Sequence, residues 1–177
     1  MKEIHDKILF LDYDGVVNLP MWLPDGSRPK YNFPADNSVN DFQACQWISE
    51  FCEKYGYEIV VTSTWRLHPN YRECLRNGGL RSTVEILGAT PRLLQPPKDM
   101  QYVTRGDEVR AYLDKHPEVT HYLIVDDEND FYLYQQDHLI RTNEFYGFCY
   151  PEFRKAESMI EDGFDERVTD YVPEDDD

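Results

Sequence analysis

Short apolar runs, separated by longer polar segments, give this chain the hydrophobic pattern of a protein with buried strands. The clearest runs cover residues 8–12, 57–61 and 121–125, and a weaker one covers 138–142. Each run is apolar at consecutive positions rather than at alternate ones, which is typical of strands covered on both faces of a parallel sheet. The pattern therefore predicts four strands in the interior of the protein.

The segments between these runs have apolar residues at helical spacing and residues typical of helix ends, so they are predicted to contain helices. One helix is predicted to begin at Ser38 or Asn40 and to continue to about Tyr55, where Gly56 ends it. Further helices are predicted over 70–77, from near Gly106 to before Pro117, and over 151–162.

The alternation of strands and helices predicts an α/β fold. We expect a Rossmann-like three-layer sandwich with a central parallel sheet and helices on both faces. Two proline-containing intervals, 18–37 and 88–104, are expected to be irregular loops. Residues 1–170 are predicted to form a single domain, and residues 171–177 an acidic tail.

Polar residues stand at the ends of three predicted strands. They are, in chain order, Asp12 and Asp14, Thr62 and Ser63, and Asp126 and Asp127. Ligands of parallel α/β sheets bind beyond the carboxyl ends of the strands, so we expect these side chains to meet at one edge.

The two acid pairs predict a metal site at that edge. Asp12 and Asp14 lie two positions apart and can face the same side of an extended chain, where their like charges repel unless a cation is bound. Mg²⁺ prefers oxygen ligands and leaves room for phosphate oxygens. We therefore expect Mg²⁺ to be held by Asp12, Asp14, Asp126 and Asp127, with Asp130 as a further candidate.

The overall charge restricts the partners of the protein. A net charge of −16, from 18 basic and 34 acidic residues, opposes bulk non-specific binding to nucleic acid and to anionic membranes. No apolar run approaches the roughly 18 residues that span a membrane. The four cysteines show no zinc or C-x-x-C spacing, so a cytoplasmic protein with reduced thiols is expected.

Three ordered motifs resemble those of the haloacid dehalogenase-like (HAD) phosphohydrolases. LDYDGVVN at 11–18 resembles the first motif, D-x-D-G-[TV]; VVTSTWR at 60–66 resembles the second, and LIVDDENDF at 123–131 the fourth. The S-T-W-R extension and R-G-D-E-V at 105–109 resemble small HAD domains of RNA-repair and polynucleotide phosphatases.

The resemblance implies a role for each motif residue. Asp12 would be the nucleophile that forms an aspartyl-phosphate, and Asp14 the general acid and base. The backbone carbonyl of Asp14 would also bind the metal. Thr62 would hydrogen-bond a phosphoryl oxygen, with Ser63 as the alternative. Asp126 would ligate Mg²⁺ directly, whereas Asp127 would ligate it through water or orient a ligand.

The third motif departs from the family, which normally has a lysine there. Arg105 matches the pattern of the narrower group, and Arg110 and Lys98 are alternatives. An arginine can grip phosphate with two hydrogen bonds, so the chemistry tolerates the change.

Further residues near the predicted edge suggest contacts with a substrate. Arg66 is expected to bind a second phosphate or a backbone segment of the substrate, and Arg66, Arg105 and Arg110 together are expected to bind one terminal phosphate. Trp65 either stacks on a base or packs in the core, and Trp22 either covers the substrate or anchors its loop.

The intervals between motifs have no room for a large cap domain, which leaves the predicted site open. An open site suits a nucleic-acid end or a nucleotide as the phosphorylated substrate. The sequence therefore predicts a Mg²⁺-dependent phosphomonoester hydrolase. The alternatives are a phosphotransferase of the same fold and a non-catalytic module that binds metal or phosphate.

Overall fold

The computed structural model describes residues 5–20, 41–98 and 100–168. Within these ranges the elements follow one another as β1 (Lys7–Leu11), α1 (Phe42–Tyr55), β2 (Glu58–Val61), α2 (Tyr71–Asn77), β3 (Ile86–Ala89), α3 (Arg105–Lys115), β4 (His121–Asp126), α4 (Leu133–Gln136), β5 (Leu139–Arg141) and α5 (Tyr150–Glu161). A short 3-10 helix, Thr64–Leu67, follows β2.

The strands form one parallel sheet in the order β3-β2-β1-β4-β5. The chain places β2 and β3 on one side of β1 and then crosses over to place β4 and β5 on the other. The strand order thus reverses next to β1, which is where sheets of this kind bind ligands. This arrangement confirms the predicted α/β sandwich, and the described ranges contain no cap domain.

Each strand of the sheet's centre buries side chains on both faces, which explains its consecutive apolar residues. Leu9 and Leu11 of β1 point to a core shared with α1, α2 and α5. Ile8 and Phe10 point to the opposite core, against Val109 and other residues of α3. Alternate residues of one strand therefore serve two layers of helices.

Helix α1 begins later than the sequence predicted. The carboxylate of Asp41 accepts a hydrogen bond from the Ala44 N–H at 2.8 Å and so caps the helix. Ser38 and Asn40, the predicted starts, lie outside the described residues. Gly56 ends the helix as predicted, with φ at 75°.

The sequence missed three short elements and located the other elements within a residue or two. Strand β3 begins before the predicted 88–104 loop and ends inside it. It has four residues, is at the edge of the sheet, and buries only Ile86 fully, so its apolar pattern is too short to identify it. Helix α4 and the 3-10 helix are also only four residues long.

Two further expectations have different outcomes. Among the described residues, no helix combines the length and apolar character needed to cross a bilayer. The acidic tail at 171–177 and most of the 18–37 loop, with Trp22, lie outside the described ranges, so those expectations stay predictions.

Candidate active site

The predicted strand-end residues meet because β1 lies between β2 and β4. The Asp12 N–H donates to the Val125 carbonyl at 3.0 Å, and the Thr62 N–H donates to the Leu11 carbonyl at 2.9 Å. These hydrogen bonds continue the sheet ladder by one residue on each side. They bring the segments that follow three strands to one edge of the sheet.

Three carboxylates converge at this edge. One oxygen each of Asp12, Asp126 and Asp127 lies within 4.8 Å of the others. Asp12 is 6% exposed and Asp126 1% exposed, whereas Asp127 is half-buried. We call these three residues the acid cluster.

Burial and mutual repulsion make the acid cluster unfavourable in its charged form. Burial raises the pKa of Asp12 to about 6, although the Arg105 guanidinium opposes the shift. Burial and then the charge of Asp12 raise the pKa of Asp126 to about 8. Burial and then the charge of Glu128 raise the pKa of Asp127 to about 6. One guanidinium therefore does not compensate the charge of the three carboxylates.

The residues of the acid cluster fit a divalent cation. Oδ1 of Asp126 accepts a hydrogen bond from the Glu128 N–H at 2.9 Å. Oδ2 is buried and has no hydrogen-bond partner among the described residues, with Nε of Arg105 3.9 Å away. Such an atom is costly to bury unless something binds it. Three carboxylates with one unsatisfied oxygen are the donor set that Mg²⁺ prefers.

Gly15 allows the acid cluster to close against the loop that follows β1. Its φ is +73°, in the left-handed region that favours glycine. A Cβ built there would lie 2.5 Å from Cγ of Asp127, closer than atoms can approach. The D-x-D-G pattern contained this signal, although the sequence analysis gave Gly15 no role.

Asp14 is oriented by two side-chain donors and does not belong to the acid cluster. Its Oδ1 accepts hydrogen bonds from Asn18 Nδ2 at 2.5 Å and from Trp65 Nε1 at 3.1 Å. Burial raises its pKa, and these two hydrogen bonds oppose the shift. The metal role of Asp14 stays a prediction for its backbone carbonyl. Sequence analysis missed Asn18, although it ends the first motif.

Thr62 and Ser63 differ in the availability of their hydroxyl groups. Oγ1 of Thr62 is buried and has no hydrogen-bond partner among the described residues. Oγ of Ser63 accepts the Trp65 N–H at 3.3 Å, and a hydrogen bond from Ser63 lowers the pKa of Asp12. This difference favours Thr62 over Ser63, and its hydrogen bond to a phosphoryl oxygen stays a prediction.

Arg105 is the third-motif candidate that reaches the acid cluster. Its Nη2 lies 3.8 Å from Oδ1 of Asp12, and its Nε lies 3.9 Å from Oδ2 of Asp126. Its Nη1 donates to the carbonyl of Thr62. The guanidinium therefore stands between both acids and the segment that carries the free hydroxyl.

The two alternatives to Arg105 point elsewhere. Nη2 of Arg110 lies 3.5 Å from Oδ1 of Asp107, and its guanidinium stacks on the Tyr132 ring at 4.6 Å. Lys98 is exposed and contacts none of the acids. The expected substrate contact of Arg110 has no support in this geometry.

The guanidinium of Arg66 is buried and binds protein groups instead of facing a ligand. Its Nη1 donates to the carbonyls of Thr62 at 2.6 Å and Ser63 at 2.8 Å, and its Nε donates to that of Thr90 at 3.2 Å. Its Nη2 lies 2.6 Å from Oε1 of Glu108, and the side chain is only 5% exposed. The geometry thus gives no support to the expected contact with substrate.

Glu108 links the two arginines and was missed by the sequence analysis. Besides its ion pair with Arg66, its Oε2 lies 3.5 Å from Nη1 of Arg105. Both arginines also donate to the Thr62 carbonyl. An acid one turn after Arg105 was visible in R-G-D-E-V, but its second partner comes from another element and gives no local signal.

Asp130 and Trp65 have structural partners. Oδ2 of Asp130 accepts the first N–H of α3, that of Arg105, at 2.9 Å, and Asp130 lies outside the acid cluster. The Trp65 ring is buried, with its centroid 5.3 Å from that of Tyr13. This placement agrees with the packing alternative for Trp65 and leaves its ring inaccessible to a base.

Residues 8–153 of the chain match the family described as HAD domain in Swiss Army Knife RNA repair proteins. The chain belongs to this family, which confirms the resemblance of its motifs to RNA-repair-type HAD domains. Comparisons with curated proteins and with solved structures gave no significant match. Family membership supports a phosphohydrolase activity in general.

Proposed function

We propose that the protein is a Mg²⁺-dependent phosphomonoester hydrolase that acts through an aspartyl-phosphate intermediate. The observation that carries this proposal is the acid cluster, in which a buried oxygen of Asp126 has no hydrogen-bond partner in the described part of the chain. Arg105 is the one cation within 4 Å of these buried acids among the described residues. The excess of negative charge favours the binding of a cation, and a bound cation together with Arg105 favours an anionic ligand.

The chain's own residues supply the two displacement steps. A carboxylate oxygen of Asp12 attacks phosphorus, and the bond from phosphorus to the ester oxygen breaks. The leaving oxygen takes the proton of Asp14. Asp14 then removes a proton from water, whose oxygen attacks the same phosphorus and restores the Asp12 carboxylate with release of phosphate.

The surrounding groups fit these two roles. The raised pKa of Asp14 favours a carboxyl group that holds a proton for part of the cycle, and Asn18 and Trp65 fix its orientation. The free hydroxyl of Thr62 and the guanidinium of Arg105 would bind the phosphoryl oxygens. Mg²⁺ held by Asp12, Asp126 and Asp127 would supply positive charge against those oxygens.

The proposed substrate is a phosphorylated nucleotide or the phosphorylated end of a nucleic acid. The RNA-repair description of the family supports this class. The net charge of −16 supports recognition of one terminal phosphate instead of bulk non-specific binding to a strand. A phosphotransferase would share every residue of the site and differ only in its acceptor.

Hydrolysis of p-nitrophenyl phosphate with and without Mg²⁺ tests the mechanism. We expect turnover that requires Mg²⁺ and that is abolished in Asp12→Asn. Asp114→Asn, the same change at an exposed position on α3, is the matched control and should keep wild-type activity. Full activity in Asp12→Asn, or activity that persists in EDTA, would reject the proposal.

Two further measurements separate the alternatives. A phosphotransferase would transfer the phosphoryl group to an added alcohol in preference to water, so less phosphate would be released per nitrophenol. A non-catalytic module would bind Mg²⁺, with a rise in Tm, but would release no nitrophenol from any phosphomonoester.

A further inference from the structure

A cleft of about 290 Å³ opens beside Arg105. Three segments form most of it: the 3-10 helix after β2, the chain after β3, and the start of α3. Its lining includes Leu67, Leu93, Arg92 and Arg105. Two carboxylates also line it, Glu108, which is paired with Arg66, and Asp130, which accepts the Arg105 N–H. Because Arg105 also stands at the acid cluster, the cleft adjoins the place proposed for the reacting phosphate.

Arg92 is the unusual residue of this cleft. It is exposed, and it has no hydrogen bond or ion pair with any described residue. Every other arginine in the described ranges has such a partner, including Arg66 and Arg105 in the same cleft. A cation without a partner is notable in a chain with a net charge of −16.

The walls around Arg92 are partly apolar and accessible. Leu67 is 53% exposed, and Leu93 and Val103 are half-buried. Inorganic phosphate would gain nothing from these side chains. A ligand with an apolar or planar body and an anionic group would contact the walls and the guanidinium together.

We propose that this cleft binds the part of the substrate beyond the reacting phosphate, and that Arg92 binds a second phosphate group of that substrate. This inference rests on the proposed function and adds a determinant of its specificity. Nucleoside bisphosphates and short strands with a terminal phosphate share the required chemistry, because each places a second phosphate next to a nucleoside. Arginine is suited to that group through its paired N–H donors.

Steady-state kinetics with three substrates test the inference. They are a nucleoside 3′-monophosphate, the corresponding 3′,5′-bisphosphate, and a dinucleotide that ends in a 3′-phosphate. We expect the second phosphate to lower KM about tenfold, the effect of one charge-assisted hydrogen bond. Arg92→Ala should remove this preference, and Arg92→Lys should restore part of it.

Lys115→Ala is the matched control for the loss of one exposed positive charge. Lys115 lies at the other end of α3 from Arg105, about 15 Å away along the helix. This variant should keep the full preference for the second phosphate. A preference for only the bisphosphate or only the dinucleotide would support the cleft and identify which ligand fits it.

Equal KM values for the three substrates in the wild type, or a preference that survives in Arg92→Ala, would overturn the inference. Calorimetric titration of the same ligands into Asp12→Asn separates this result from failure of the proposed function. Tighter binding of the two-phosphate ligands through Arg92, without hydrolysis by the wild type, would retain the cleft and reject the phosphatase. Hydrolysis that depends on Asp12, with the same KM for substrates with one and with two phosphates, would retain the phosphatase and reject the cleft.

Discussion

The two sides of the site differ in how their charges are compensated. On the β4 side, Asp126 and Asp127 crowd against Asp12, and the buried Oδ2 of Asp126 accepts no hydrogen bond from any described residue. On the β2 side, the guanidinium of Arg66 is fully used by three carbonyls and Glu108. We call the acid cluster the acid side, and Arg66 with Glu108 the cation side. The charges of the acid side need a ligand to balance them, whereas those of the cation side are largely balanced within the protein.

This difference shows that a charged residue near a motif does not by itself indicate a ligand contact. Arg66 belongs to the second motif and Arg105 to the third, yet only Arg105 reaches the acids. The informative property is whether a charged group already has partners. By that criterion the acid cluster and Thr62 are the groups proposed to bind ligands, whereas Arg66 supports the structure.

Asp126→Asn should produce the largest effect on the acid side. We expect kcat/KM with Mg²⁺ to fall by more than the ~100-fold that is typical for the loss of an outer-shell partner. The metal-free variant should nevertheless have a higher Tm than the metal-free wild type, because one of the repelling charges is gone. The amide oxygen can still accept the Glu128 N–H, so the loop is retained.

Phosphatase assays and thermal unfolding in EDTA check this prediction, again with Asp114→Asn as the control. A second expected sign is that Mg²⁺ raises the Tm of the wild type much more than that of the variant. Unchanged activity together with a lower metal-free Tm would mean that Asp126 is a structural acid, and the contrast between the two sides would disappear.

Glu108→Gln should produce an intermediate effect on the cation side. Glu108 is 9% exposed at its side chain, and its loss leaves Arg66 without its ion-pair partner and removes one of the acids beside Arg105. We expect the free energy of unfolding to decrease by about 3 kcal/mol, as for a broken buried ion pair. We also expect kcat to fall about tenfold, because Arg105 and the Thr62 segment lose a shared anchor.

Denaturant unfolding and steady-state kinetics well below the Tm measure the two effects separately. Glu161→Gln, on the exposed end of α5, provides the control for loss of one negative charge. A purely structural role for Glu108 would lower stability and leave kcat of the folded enzyme at the wild-type value.

Much of the site was predictable from sequence because its key residues follow buried strands directly. Asp12, Thr62 and Asp126 each come one or two residues after an apolar run, or end it, and a parallel sheet brings such positions together. The fold was predictable for the same reason, except for β3, whose four residues at the sheet edge bury too little to form a pattern.

The remaining parts of the site depend on side-chain partners that are distant in sequence. The ion pair of Arg66 with Glu108 joins the 3-10 helix to α3. The hydrogen bond from Trp65 to Asp14 joins the segments that follow β2 and β1. Neither spacing produces a local signal, so Arg66 looked like a ligand contact. Arg92 received no role from the sequence, because its lack of partners among the described residues is a property of the fold.

The smallest expected effect is a pH dependence that is confined to the acid side. Because the pKa values of Asp12, Asp126 and Asp127 are raised, the native metal-free protein binds protons more tightly than the unfolded chain. Their contribution to stability is therefore present at low pH and is lost as pH rises through about 6 to 8.

In EDTA, we expect the Tm of Asp126→Asn to exceed that of the wild type by a margin that grows between pH 5.5 and 8.5. Growth of at least ~3 °C corresponds to about 1 kcal/mol in a domain of this size. Other titrating groups, such as His138, are present in both proteins and cancel in the comparison. Saturating Mg²⁺ should reverse the order, because the wild-type acids then have a counter-charge. A Tm difference that stays constant with pH would mean that positive charge in the metal-free protein already balances the carboxylate of Asp126. The acid side would then resemble the cation side.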